Sequence, residues 1–208
     1  TAWDAMNTVV TLIAADPIAD TCVDAVCSAL GGEPLWLAEG IACDIASNLA
    51  PEAAESAARK VAGAAALDIA AQPVAGRRKR LLVADMESTI IENEMLDELA
   101  DELGLRAEIA TITARAMRGE LDFEGAIRER VAMLADLEEE ALVRSEAKIR
   151  IMPGAPELVA TMKAYGAACA LVSGGFDFYT RRIRERLGFD TDQANRLEIQ
   201  DGRLTGFI

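Results

Sequence analysis

The 208-residue chain contains no histidine. That removes the Ser-His-Asp triad, imidazole-bound zinc and phosphohistidine chemistry together. Its four cysteines, Cys22, Cys27, Cys43 and Cys169, form no C-x-x-C pair, and none is followed six residues later by arginine, so redox-motif and cysteine-phosphatase chemistry are absent too. A chain this long needs no covalent staples, and reduced thiols are expected, in keeping with a cytoplasmic protein. Aromatics are scarce, 4% against 51% hydrophobic residues overall, so a core must be built mainly from Ala, Leu, Ile and Val. No apolar run reaches the length of a membrane span, and no basic region leads into an apolar core near Thr1, so neither membrane attachment nor a signal peptide is expected. Basic residues are outnumbered, 21 Lys and Arg to 35 Asp and Glu, for a formal net charge of -14. Such a balance argues against a nucleic-acid surface, which needs clustered cations, but leaves room for an anionic small molecule in a locally positive site. Self-association as a homodimer stays open. If the protein is an enzyme, its chemistry must come from Asp, Glu, Ser, Thr, Lys, Arg or a bound metal.

What is present falls into two regions. Residues 1–76 are Ala-rich and read as a small accessory or regulatory α/β domain. "MNTVVTLIA" is a predicted strand, and "IADTCVDAVCSAL" a helix closed by Gly31 and Gly32. "PLWLAEGIACDIA" holds one or two short strands. "PEAAESAARKVAGAAALDIA" reads as a helix opened by Pro51. "QPVAGRRKR" (72–80) changes the composition abruptly and is expected to be a linker whose basic residues are solvated.

Residues 77–208 alternate strand and helix, the pattern of a Rossmann-like parallel sheet. "LLVA" from Leu81 is a continuous apolar run, predicted to be a strand buried on both faces. A helical stretch over about 92–150 follows, inserted as a cap between core segments 81–91 and 151–208. "ELVATMKAY" is a helix, "ACALVS" a second buried strand, and "FDFYTRRIRERLG" another helix. "LEIQDGRLTGF" reads as a hairpin turning at Asp201-Gly202. Ligands of such sheets bind beyond the carboxyl ends of the strands, which places Asp85 and Ser173 in one crevice although 88 residues separate them.

A carboxylate at that position can attack phosphorus, a second carboxyl can protonate the leaving oxygen, and backbone amides of the following turn can cradle phosphate oxygens. "DMEST" (85–89) supplies Asp85 and Glu87, and Ser173 with Gly174 and Gly175 offers a hydroxyl and open amides. The plainer reading of "DMEST" is a helix N-cap followed by acidic first-turn residues. Arg130 falls about 20° from Phe123 on a helical wheel, inside the stripe of Phe123, Ile127 and Leu134. It is there to meet a substrate carboxylate, to form an ordinary buried ion pair, or to pack its stem and release its head to water. Glu94 lies opposite the stripe of its own helix and reads as solvent-exposed on geometry alone.

"DMESTIIENEMLDELADELG", "GELDFEGAIRERVAML", "PGAPELVATMK" and "LVSGGFDFYTRRIRERLGFD" followed by "ANRLEIQDGRLTG" resemble the phosphoserine phosphatases of the haloacid dehalogenase superfamily, nearly continuously over 81–206. The resemblance implies a magnesium-dependent hydrolysis of O-phospho-L-serine through an aspartyl-phosphate, with Asp85 as nucleophile and metal ligand. Glu87 stands where the family has its general-acid Asp, whose main-chain carbonyl also binds the metal. Glu94 matches the acceptor of the substrate ammonium, Arg130 the partner of its carboxylate, Met117 and Phe123 apolar pocket positions, and Ser173 and Gly174 phosphate-binding positions.

Two departures stand out. The family pattern is D-x-D-S-T, and this chain has D-x-E-S-T, so the acid reaches about 1 Å further; a misplacement of that size can cost on the order of a hundredfold in rate. The family's phosphate-binding Lys and Asp-rich magnesium motif lie beyond the position matched by "LTGFI", so the core is expected to be C-terminally truncated and the chain by itself weakly active or inactive. Two alternatives stay open: a phosphatase for another small phosphate ester, and a catalytically impaired amino-acid-binding regulatory protein.

Overall fold

The structure, a computed structural model, describes residues 6–208. The chain divides into two compact units, Thr1–Arg78 and Lys79–Ile208.

The first unit runs β1 (Thr8–Ile13), α1 (Asp20–Leu30), β2 (Pro34–Ala38), β3 (Ala42–Ser47), α2 (Pro51–Ala62) and β4 (Asp68–Pro73). Its antiparallel sheet has the order β2-β3-β1-β4. Val10, Leu12, Cys43, Ile45 and Ile69 share a buried cluster with Val23, Val26 and Leu30 of α1 and Ala54 and Ala58 of α2. Two sequence expectations need correcting. The segment from Pro51 does not stay helical to Ala70: α2 ends at Gly63, in a positive-φ conformation, and the chain returns as β4, where Ile69 pairs with Leu12. The basic run is not simply solvated either. Arg77 donates to both carboxylate oxygens of Asp44, at 2.5 and 2.7 Å, and to Oγ1 of Thr11 at 3.1 Å. Asp44 is buried in β3, and a buried carboxylate requires such partners.

The second unit is built on three parallel strands in the order β5-β6-β7, with β5 at Leu81–Asp85, β6 at Ala168–Phe176 and β7 at Thr191–Asn195. Between β5 and β6 come α3 (Met95–Leu103), α4 (Arg106–Met117), α5 (Phe123–Ala132), α6 (Glu140–Glu146) and α7 (Ala155–Ala164). Helix α8 (Asp177–Leu187) leads from β6 to β7. The hairpin of β8 (Ile199–Gln200) and β9 (Arg203–Leu204) turns, as expected, at Asp201 and Gly202, both with positive φ.

The register sets Asp85, the last residue of β5, beside Val172, so Ser173 lies at the same edge of the sheet; β6 does not end there, as the sequence suggests, but runs on to Phe176. One face of the sheet packs inward: Ala84, Cys169 and Leu171 join a core with Leu99, Ile127, Leu134, Phe176 and Tyr179. The other face does not. Leu81 and Val83 are each 59% exposed and Val172 is 43% exposed, which corrects the expectation of a strand buried on both faces. Helical coverage explains the difference, because an apolar run is buried twice only where elements pack on both sides.

The two ends of the helical insertion are stitched together. Ile91 bridges Ile151, Glu92 N–H donates to Arg150 O, and Met152 N–H donates to Ile90 O, both at 2.9 Å. Asn93, 4% exposed, holds the seam: its Oδ1 accepts from Arg150 N–H at 2.9 Å, and its Nδ2 donates to Glu98 at 2.8 Å and to Lys148 O at 3.4 Å.

Candidate active site

At the end of β5 the chain turns sharply. Met86 is fully buried, and its carbonyl accepts from the amides of both Ile90 and Ile91. That anchors a tight turn over 86–90 and leaves Asp85 at the rim, with its Oδ1 accepting from Met86 N–H at 2.9 Å. Within the turn Ser88 adopts φ 53°, a left-handed conformation uncommon for a residue with a Cβ.

Glu87 points across the sheet end. Its Oε1 accepts from Met95 N–H at 2.8 Å, and its Oε2 accepts from the Ser173 hydroxyl at 3.2 Å. Ser173 in turn accepts from Gly175 N–H at 2.8 Å. Met95 opens α3, so Glu87 satisfies one of that helix's leading amides from eight residues upstream. Burial pushes the Glu87 carboxyl above its ordinary range, and the nearby charges of Glu94 and Asp85 add to the effect; the Met95 and Ser173 donors pull partly the other way.

The glycines after Ser173 are there for space. A Cβ on Gly174 would lie 2.8 Å from the Phe123 ring, and one on Gly175 would lie 2.6 Å from Oε2 of Glu87. Asn195, at the end of β7, donates from Nδ2 to Gly174 O at 2.7 Å and fixes that segment.

Glu94 is the residue before α3, yet it makes no side-chain cap bond. Its Oε1 instead accepts from the Ser88 hydroxyl at 2.6 Å. Arg130 is half-buried on α5, with Nε donating to Ala126 O at 3.1 Å. Among the described residues no carboxylate lies within ion-pair distance of Arg130, and Glu94 does not pair with it.

Asp85, Glu87, Glu94, Leu96, Phe123, Ile127, Arg130, Gly174 and Gly175 line one cavity of about 210 Å³. Seven residues singled out in the sequence thus gather in one place, with Ser173 buried immediately behind Glu87. Met117 stands apart, at the end of α4 and 84% exposed, outside this lining. A larger groove of about 670 Å³ between α6 and α8 carries none of the expected residues, and its Arg182 and Glu146 are paired with each other at 2.8 Å. Sequence reasoning missed Ser88, Asn93 and Asn195 as organisers. Ser88 lies inside the quoted motif, but its partner is set by the turn, and the two asparagines look like ordinary loop residues until their carbonyl and amide partners are known.

Among the described residues no group of three or more Asp, Glu, Cys or His is arranged to hold a metal. Asp85 and the backbone carbonyl at position 87 offer hard oxygen donors of the kind magnesium takes when water and substrate phosphate complete its shell. No helix among the described residues is long and apolar enough to cross a membrane.

Known proteins similar to this chain include several phosphoserine phosphatases. Phosphoserine phosphatase of Archaeoglobus fulgidus is 47% identical over 152 residues, covering 72% of this chain and 44% of that protein. Those of Streptomyces coelicolor (43% identity, 78% and 40% covered) and Methanocaldococcus jannaschii (42%, 64% and 63%) are similar too. The chain spans about half the length of these curated relatives. Among solved structures, a substrate-bound phosphoserine phosphatase complex superimposes with TM-score 0.59 at 42% identity, covering 62% of this chain and 61% of that one. A probable phosphoserine phosphatase from Vibrio cholerae, unliganded, gives TM-score 0.71 at 31% identity over 98% of this chain and 62% of that one. The model of the haloacid dehalogenase-like hydrolases matches residues 82–208, well over half of the sequence, and the chain belongs to that family.

Proposed function

We propose that this chain carries the nucleophile and the substrate-recognition groups of a magnesium-dependent phosphatase acting on O-phospho-L-serine. The observation that carries the reading is the single small cavity shared by Asp85, Glu87, Glu94, Arg130 and Gly174. An anion and a cation that face one cavity without pairing with each other suit a zwitterion better than a simple phosphate ester, since each can take the opposite charge of an amino acid. In this reading Glu94 receives the ammonium, Arg130 the carboxylate, and Phe123 and Ile127 the short apolar stem.

Asp85 attacks phosphorus and forms an aspartyl-phosphate, while Glu87 gives its proton to the departing serine oxygen. Water then cleaves the acyl phosphate and regenerates the Asp85 carboxylate. The Gly174 amide and the Ser173 hydroxyl, once it gives up its bond to Glu87, hold the phosphate oxygens, and the Gly175 amide orients Ser173. Magnesium, held by Asp85 and the carbonyl at 87, would offset the negative charge gathered between carboxylate and phosphate. Residues 77–208 form the phosphatase domain in this scheme, with about 92–150 as its cap, and residues 1–76 are an accessory or regulatory domain.

Calorimetry with O-phospho-L-serine and L-serine, beside a magnesium-dependent phosphate-release assay, tests this. The expected result is selective binding of phosphoserine over the desamino ester 3-(phosphonooxy)propanoate, with at most slow phosphate release. Equal binding of the two esters would sink the amino-acid reading, and release that is absent from both this chain and Glu87→Asp would sink the catalytic one.

A further inference from the structure

We propose that Ser88 is the positioning residue that aims Glu94 at the substrate ammonium. The inference rests on the reading of Glu94 given above and deepens it.

Three observations converge. Among the described residues Ser88 is one of three non-glycine residues with positive φ, the others being Asp136 and Asp201. A left-handed backbone costs a serine about 1–2 kcal/mol and persists only where something around it favours it. Its hydroxyl does not stay within its own turn, as serine hydroxyls in turns commonly do, but donates to Glu94 Oε1 at 2.6 Å, six residues on. Glu94, finally, is the residue just before α3 and makes no side-chain cap bond, so its carboxylate is directed elsewhere. Glu87 bonds the Met95 amide instead.

Glu87 reaches forward to the start of α3, and Glu94 turns back over the catalytic turn, where Ser88 grips one of its oxygens. An exposed glutamate has three rotatable bonds and would otherwise sweep a wide arc. With Oε1 fixed, the carboxylate stays at the cavity wall, where it and Arg130 define the two ends of the ligand. Ser88 thus couples the turn that carries Asp85 to recognition of the substrate's amino group without touching the substrate itself.

The test compares Ser88→Ala, Ser88→Gly, Ser88→Asn and Glu94→Gln on O-phospho-L-serine and on 3-(phosphonooxy)propanoate. Loss of a hydrogen bond to a charged group is expected to raise KM, or Kd where turnover is slow, about tenfold for phosphoserine in Ser88→Ala, with kcat little changed. The desamino ester should lose far less than phosphoserine does. Ser88→Gly relieves the backbone yet lacks the hydroxyl, so it should behave like Ser88→Ala; Ser88→Asn tolerates the left-handed backbone and keeps a donor, so it should recover part of the loss. If Glu94→Gln weakens phosphoserine selectively while Ser88→Ala and Ser88→Gly match the wild type, the positioning role is overturned and the role of Glu94 stands. If Glu94→Gln changes nothing, the reading of Glu94 fails and takes this inference with it. A crystal structure of Ser88→Ala decides the matter without any ligand: a Glu94 carboxylate displaced from its place supports the inference, and an unmoved one overturns it.

Discussion

A methyl group on residue 175 would stand 2.6 Å from Oε2 of Glu87, closer than any relaxed contact allows. The second glycine of the "SGG" segment and the long acid of "DMEST" therefore fit each other as a pair. Gly175→Ala is expected to destabilise the protein by about 1 kcal/mol, because the Glu87 carboxylate can withdraw only by giving up its bonds to Met95 and Ser173. Made together with Glu87→Asp, which withdraws the carboxylate, it should cost less. Urea unfolding of the two single variants and the double variant measures the coupling, and strict additivity would show that the contact does not matter.

Glu87→Asp on its own restores the acid of the family pattern and releases the bonds to Met95 and Ser173. Turnover of phosphoserine is expected to rise by about tenfold or more, since a carboxyl misplaced by one methylene can cost on the order of a hundredfold. A phosphate-release assay in which the variant merely equals the parent chain would refute this.

Burial and neighbouring anions hold Glu87 above the ordinary carboxylate range, so the folded protein binds its proton more tightly than the unfolded chain does. Its favourable contribution is complete below the ordinary glutamate value and disappears as pH rises through the raised, folded one. Relative to Glu87→Gln, which cannot ionise, the wild type should lose stability with rising pH across that window and then level off. Metal-free melts of both proteins from pH 4 upward give the difference, in which other titrating groups cancel. A flat difference curve would contradict the assignment.

If Arg130 receives the substrate carboxylate as proposed, Arg130→Ala should raise KM for phosphoserine by about tenfold to a hundredfold. An aryl phosphate, which has no carboxylate, should be hydrolysed as before. Parallel losses for both substrates would mean that Arg130 supports the cap and does not read the ligand.

Asp85 and Ser173 were legible because they follow from chemistry that is local in sequence. An apolar run gives way to polar chemistry at Asp85 and at Ser173, and the parallel register brings the two together, although β6 itself runs on to Phe176. Arg130 was legible as a cation inside an apolar stripe. Glu94 was not, since a helical wheel describes the outside of a helix and says nothing of a turn folding back over its start. Strand β4 was hidden by alanines, which have no period to betray a strand, and the exposure of Val83 depends on which face of the sheet the helices cover. Met117 matches a family position, but its exposure at the end of α4 comes from where that helix ends.

Asn93 makes every one of its hydrogen bonds to the two ends of the helical insertion or to α3. Asn93→Ala leaves the Arg150 amide without its acceptor and is expected to cost about 1–3 kcal/mol. Hydrogen exchange should quicken first at the amides of Glu92, Arg150 and Met152, which form the seam. Protection there equal to wild type would show that the seam holds without it.

Leu81 and Val83 of β5 and Val172 of β6 form an exposed apolar stripe on one face of the sheet. Exposed stripes of this kind invite other chains to add on. The formal charge of -14 keeps copies apart in dilute buffer, but ions shorten the reach of that repulsion. Colloidal behaviour should therefore run opposite to that of a protein glued by surface ion pairs: for this chain, added salt favours clustering, and low ionic strength keeps it dispersed.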